Sequence, residues 1–136
     1  MGVSLRVGPI AYPIGTGAFL GAFFDTVTGR LEDGARGRRF PRLGDLYQHG
    51  ELDVSHLDAA RGELSDIRRQ LTLLPPSALI WDLDDPAAAP PWGDDIAASI
   101  TDLSDYFVTS DGRQLLDVIQ TALDTGIRLG RAVSIG

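Results

Sequence analysis

Residues 3–27 read VSLRVGPIAYPIGTGAFLGAFFDTV, and their hydrophobic period changes midway. Val3, Leu5 and Val7 alternate with Ser4 and Arg6, the period of two that marks a half-buried strand. Gly8-Pro9 interrupts the run, and residues 10–14 predict a second strand or an extended edge. From Thr16, the expected helix cap, the spacing lengthens. Phe19, Leu20, Phe23, Phe24 and Val27 form a wide apolar stripe, with Gly29 as the expected stop. Strand spacing that gives way to helical spacing calls for a mixed fold.

The rest of the chain extends that reading. Residues 29–42 form a loop carrying Arg30, Arg36, Arg38, Arg39 and Arg42, followed by a short helical turn over residues 43–47. Ser55 and Asp58 resemble a capping box ahead of the longest helix. In that helix Leu57, Ala60, Leu64, Ile67, Leu71 and Leu74 form a narrow seam that ends at Pro75-Pro76. The seam spans fewer than three heptads, so burial within the molecule explains it better than a coiled-coil partner. Residues 78–83 predict an interior strand closed by Asp84-Asp85-Pro86, and residues 86–93 an Ala/Pro loop ending in Trp92-Gly93. Ser110 or Asp111 is the expected cap of a last helix bearing Leu115, Leu116, Ile119, Ala122, Leu123 and Ile127. Residues 131–135 predict a terminal strand with Val133 and Ile135 on one face. The expected fold is α+β: a single domain over residues 1–136, with a small β-sheet packed against about three α-helices.

Composition excludes several chemistries. A chain of 136 residues buries enough surface to fold without a metal or disulfide staple. Cysteine, lysine and asparagine are all absent, which removes thiolate catalysis, Schiff bases, Walker-type phosphate loops and N-glycosylation. Nineteen acids against twelve arginines give a net charge of −7, which repels nucleic acid and anionic membranes and attracts basic partners. Residues 7–24 carry no charge, but their prolines and glycines break any continuous apolar helix. Neither a leader nor a membrane span is expected, and the expected location is the cytoplasm.

Three local patterns fall short of a site. Gly15-Thr16-Gly17-Ala18-Phe19-Leu20-Gly21 misses the dinucleotide fingerprint by one position, since Leu20 stands where the third glycine belongs. His49 and His56 flank a helix start without a third ligand on their face. No Gly-x-Ser-x-Gly elbow exists.

The charge pattern says more. No basic residue lies between Arg69 and Arg113, yet that interval holds Asp82, Asp84, Asp85, Asp94, Asp95, Asp102, Asp105 and Asp111. Such carboxylates suit a hard cation, an acid–base pair of the glycosidase kind, or a face for a basic protein. Individually they also suit turns and caps, as Asp85-Pro86 and Asp111 do. Trp92 and Tyr106 sit among them as candidate anchors. No tight metal site is expected at Asp82, Asp84 and Asp85, because Asp85 abuts Pro86 in a turn.

Residues 90–119, with Pro90-Pro91-Trp92-Gly93-Asp94 and the run Tyr106-Phe107-Val108-Thr109-Ser110-Asp111-Gly112, resemble the immunity protein 70 family of bacterial polymorphic toxin systems. Ser4-Leu5-Arg6-Val7-Gly8, the phenylalanine-rich residues 18–24 and Leu79-Ile80-Trp81-Asp82 support the resemblance in the same order. Asp105 stands where the family pattern has asparagine. The resemblance implies a cytoplasmic protein, encoded beside a toxin, that binds and neutralises that toxin without catalysis. The expected partner is a basic toxin domain, with no cofactor, metal, nucleic acid or membrane involved. The expected contact residues are Asp82, Asp84, Trp92, Asp94, Asp95, Asp102, Asp105 and Tyr106. The alternatives are a small Asp-dependent, metal-assisted hydrolase and an acidic adaptor.

Overall fold

The computed structural model describes residues 2–136. Strands β1 (Gly2–Val7) and β2 (Ile10–Thr16) form the antiparallel hairpin that opens the chain. Gly8, at φ 56°, supplies the positive φ that such a two-residue turn requires. Helices α1 (Gly17–Leu31) and α2 (Pro41–His49) follow, then β3 (Glu51–Leu52), α3 (Leu57–Leu71), α4 (Leu115–Leu129) and β4 (Val133–Ile135). The four strands form one antiparallel sheet in the order β2-β1-β4-β3. The first and last strands are therefore neighbours, with Leu5 opposite Ile135.

Period-two burial puts Leu5 and Val7 of β1 in the core and leaves Arg6 exposed. A bulge in β2 leaves Ile14 without a partner on β1 and turns its side chain fully inward. Helix α1 is capped as expected, with Thr16 Oγ1 accepting from the Phe19 amide at 3.1 Å. It is enclosed on most sides, burying Phe19, Leu20, Phe23, Phe24, Val27 and Leu31. The α3 seam is buried at Leu57, Ala60, Leu64, Ile67 and Leu71, all within one continuous core shared with α4 and the sheet. Of six residues expected in that core, Leu115, Ile119, Leu123, Phe23 and Leu64 are buried, and Ile80 is half-buried.

Several local expectations are corrected. Helix α1 runs through Gly29 and stops two residues later, where the amides of Glu32 and Gly34 both bond to the Thr28 carbonyl. The expected turn at residues 43–47 is a nine-residue helix starting at Pro41. Its free N-terminal amides are satisfied from another element: the Glu63 carboxylate of α3 accepts from Arg42 at 3.1 Å and Leu43 at 3.0 Å. Ser55 does not cap α3. Asp53 caps a 3₁₀ turn over Val54–His56, taking the Ser55 amide at 3.0 Å, and α3 continues from it. Helix α4 begins at Leu115, because residues 109–113 close a turn of their own (Thr109 amide to Arg113 carbonyl, 2.7 Å). Residues 78–83 form no strand, for a reason given below. Among the described residues no helix is long and apolar enough to cross a membrane.

Two helical glycines make the packing testable. A Cβ at Gly126 of α4 would stand 2.9 Å from the Arg131 carbonyl oxygen and 2.6 Å from a Leu57 methyl, whereas one at Gly62 of α3 would meet nothing within 4 Å. Gly62→Ala should raise unfolding stability by roughly 0.4–1 kcal/mol through helix propensity and unfolded-chain entropy. Gly126→Ala should lower it by about 1–3 kcal/mol, because the clash with backbone outweighs that gain. Urea denaturation of both variants checks the opposite signs.

Candidate functional site

Between α3 and α4 the chain runs through residues 72–114 with a single 3₁₀ turn, Pro76–Ala78, as regular helix. Irregular segments of this length inside a compact domain are uncommon and tend to carry function. Both tryptophans and all eight aspartates of the arginine-free interval lie on it.

The segment is tied down at specific points. Thr26 of α1, wholly buried, donates from Oγ1 to the Ile80 carbonyl and accepts the Ile80 amide, each at 3.0 Å. One residue earlier, the Asp25 carboxylate accepts the Leu83 amide at 2.9 Å while its other oxygen pairs with Arg36. Residues 80–83 are therefore irregular, with a bend at Trp81 and a turn from Leu83, and are bonded to helical side chains in place of a sheet neighbour. An apolar run of strand length was legible in sequence; the partner that bonds it was not. Gly29 permits the approach, since a Cβ there would stand 2.3 Å from an Ile80 methyl. Farther along, the Leu103 amide bonds to the Leu74 carbonyl at 3.0 Å. The Ser110 amide bonds to the carbonyl of Ile14, the bulged residue of β2, at 2.9 Å.

Aromatic rings continue from these ties to the surface. Phe107 packs edge-on against Phe23 of α1 at 5.3 Å, and Tyr106 against Phe107 at 5.2 Å. The Tyr106 hydroxyl accepts from Trp92 Nε1 at 2.9 Å, and Trp92 stands edge-on to Trp81 at 5.4 Å. Trp92 is 39% exposed and Tyr106 only 7%. The expected pair of anchors is thus one exposed ring and one buried support. Burial raises the Tyr106 pKa above the usual phenol range, the Trp92 hydrogen bond partly offsets it, and the Asp94 charge adds to it.

The aspartates divide into two kinds. Asp82, Asp84, Asp94 and Asp95 are exposed. Asp82 takes the Asp84 amide at 3.0 Å within its own turn. Asp102 and Asp105 are half-buried and shape a turn: Asp105 accepts the amides of Thr101 and Asp102, and Asp102 accepts the Ser104 amide at 2.8 Å and the Ser104 hydroxyl. The Ser104 hydroxyl, first among several hydrogen bonds, holds the Asp102 carboxyl below the usual carboxylate range. None of the eight forms an ion pair among the described residues. The arginines pair elsewhere, as in Arg36–Asp25, Arg39–Asp66, Arg61–Asp124 and Arg68–Asp117.

The acids are not gathered at one point. Asp94 lines a cavity with Trp81 and Tyr106, and Asp95 a neighbouring cleft with Trp92 and Ile96. Asp82 and Asp84 border a polar cleft against α1, with Asp25, Arg36 and Tyr47. Burial and the nearby Asp25 charge raise the Tyr47 pKa. Among the described residues no group of three or more His, Asp or Glu is arranged to hold a metal ion. Asp25, Thr26 and Trp81 were missed in sequence. A signal existed for Asp25, the only acid on an otherwise apolar helix.

The sequence model of the immunity protein 70 family matches residues 5–135. No curated protein and no solved structure matches the chain significantly.

Two predictions follow from how the segment is held. Thr26→Val keeps the shape and removes both bonds to Ile80, leaving a buried amide and carbonyl unpaired. Stability should fall by about 1–3 kcal/mol, with hydrogen exchange accelerated at Ile80 and Leu83 before the β1 amides. The second concerns pH. A carboxyl whose folded pKa is depressed stabilises the fold above its unfolded pKa and loses that contribution as pH falls through the folded value. The turn over residues 101–105 should therefore persist to below the ordinary carboxylate range and loosen under it. Ser104→Ala should move the Asp102 titration upward, read by carboxyl NMR.

Proposed function

The chain belongs to the immunity protein 70 family, and on that premise we propose that it binds and neutralises a cognate toxin through the acidic face of residues 82–105. The binding is stoichiometric and non-enzymatic, and it takes place in the cytoplasm, where the toxin would act.

One observation carries this reading. Residues 70–112 hold eight of the nineteen acids and none of the twelve arginines, so the remainder of the chain is close to neutral with eleven acids against twelve arginines. The net charge of −7 is therefore a property of one irregular segment. Seven of the arginines pair with acids outside the segment, for example Arg42–Asp45 and Arg69–Asp66, and among the described residues none pairs with an acid of the segment. The segment's charge is thus left without direct counter-ions.

A toxin whose active cleft holds phosphate must present cationic groups, and those groups meet carboxylates here. Opposed charge of this kind raises encounter rates by roughly 10- to 1,000-fold and steers orientation. Short-range affinity needs an apolar anchor, and Trp92 supplies an exposed ring within the charged zone. Asp102 and Asp105 contribute to the field while shaping the turn that leads to Tyr106. The proposed contact set is therefore Asp82, Asp84, Trp92, Asp94 and Asp95 at the surface, supported by Asp102, Asp105 and Tyr106.

The test is association with the toxin domain encoded in the adjacent gene, at two ionic strengths, together with protection on co-expression. Asp94→Arg with Asp95→Arg should slow association about tenfold or more at low salt and flatten its salt dependence. Both residues are exposed and free of ion pairs, so the unfolding midpoint should barely move. Unchanged association with full protection would place the interface elsewhere, with the arginine-rich loop before α2 the next candidate.

A further inference from the structure

We propose that the cavity walled by Trp81, Leu79, Pro90, Ile96 and Tyr106, with Asp94 beside them, is a socket for one arginine side chain of the partner protein. The inference rests on the toxin-binding reading above and specifies the chemistry of its anchor.

The cavity has a volume of about 370 Å³, at the small end of the roughly 300–1,000 Å³ range of ligand sites. Its walls mix aromatic and aliphatic side chains with polar surface in about equal share, and Asp94 is the only charged residue lining it. A socket of mixed lining with one carboxylate suits a side chain that is apolar along its stem and, at its tip, cationic and rich in hydrogen-bond donors. Arginine meets this better than lysine, because a planar guanidinium stacks on an aromatic face and pairs bidentately with a carboxylate. No arginine of the chain lines the cavity; Arg30 lines the adjoining one and donates its Nε proton to the Ala78 carbonyl. An anionic occupant is opposed by Asp94 and by the surrounding aspartates.

The walls are held from beneath. Trp81 follows Ile80, whose amide and carbonyl are both bonded to Thr26, so its backbone is fixed to α1. Trp92 closes against Trp81 edge-on and is itself held by Tyr106, whose burial sets the floor. A socket fixed in advance loses little conformational entropy when it is filled.

The probe is N-acetyl-arginine amide, titrated into the full chain while the indole N–H resonances of Trp81 and Trp92 are followed by NMR. Saturable shifts in the millimolar range are expected, with N-acetyl-leucine amide inert and N-acetyl-lysine amide weaker. Asp94→Asn should abolish saturation, as should Ala89→Leu, which fills the cavity from an exposed position. Against the toxin domain, Asp94→Asn should weaken affinity roughly 30-fold or more, mainly through faster dissociation. Absence of saturable shifts, equal shifts from the leucine amide, or indifference to Asp94→Asn would overturn the socket. Wild-type protein that binds the toxin as tightly as the Asp94→Asn and Ala89→Leu variants would overturn it while leaving the toxin-binding reading intact. Failure of the wild type to bind the toxin at all would instead remove that reading, and the arginine titration would still report on the cavity.

Discussion

The hydrogen bonds that Asp25 and Thr26 make to residues 80–83 are the constraint on which the remainder of the site depends. Helix α1 is enclosed on most sides, so two adjacent polar side chains on it need partners. The segment after α3 supplies them as backbone, at Ile80 and Leu83. The exchange is mutual: helical side chains satisfy an irregular backbone that has no neighbouring strand, and that backbone satisfies the helix. Gly29 makes the contact sterically possible, and Arg36 neutralises the Asp25 charge that the contact half-buries. Without this junction Trp81 loses its tie to α1 and Trp92 its fixed edge-on neighbour, while the later part of the segment is still held at Leu103, Phe107 and Ser110.

The same junction explains what the sequence disclosed and what it withheld. Period-two alternation in β1 and the stripes of α1, α3 and α4 arise from burial on one face, which leaves a direct trace in residue order. The apolar character of residues 78–83 leaves the same trace whether the run bonds to a strand or to a helix, so the element was expected but its type was wrong. Caps were misplaced where a distant group does the capping. Glu63 serves α2 from another helix, and Asp53 takes the role expected of Ser55. The start of α4 moved from Ser110 or Asp111 to Leu115 because Phe107 is pinned in the core and residues 109–113 must turn first.

The segregation of acids onto residues 70–112 was legible for a different reason. Charge is counted without knowledge of the fold, and a stretch of more than forty residues without a base leaves little opportunity for local pairing. The fold could still have brought arginines to it from elsewhere. It brings two to the edge, Arg36 beside Asp82 and Asp84 and Arg30 beside Asp82 and Asp85, but neither pairs with them: Arg36 is held by Asp25, and Arg30 donates its Nε proton to the Ala78 carbonyl. Exposed ion pairs contribute only about 0–1 kcal/mol each, so stability places little demand on the pairing pattern. The segregation of charge matters for the field outside the molecule far more than for the energy within it.

In the encounter proposed above, charge and aromatic rings act on different steps. Exposed carboxylates at Asp82, Asp84 and Asp95 act at a distance of about a Debye length, roughly 8–10 Å in physiological salt, and hold no particular partner atom. They shape approach. Trp81, Trp92 and Tyr106 act only in contact, and their positions trace back through Phe107 to Phe23 in the middle of the core. They govern departure. A face that steers but cannot retain releases its partner quickly, and one that retains but cannot steer meets it slowly. The proposed inhibition requires both, and the irregular segment places them side by side because regular structure, with one residue in two or four facing outward, presents fewer neighbouring side chains to solvent.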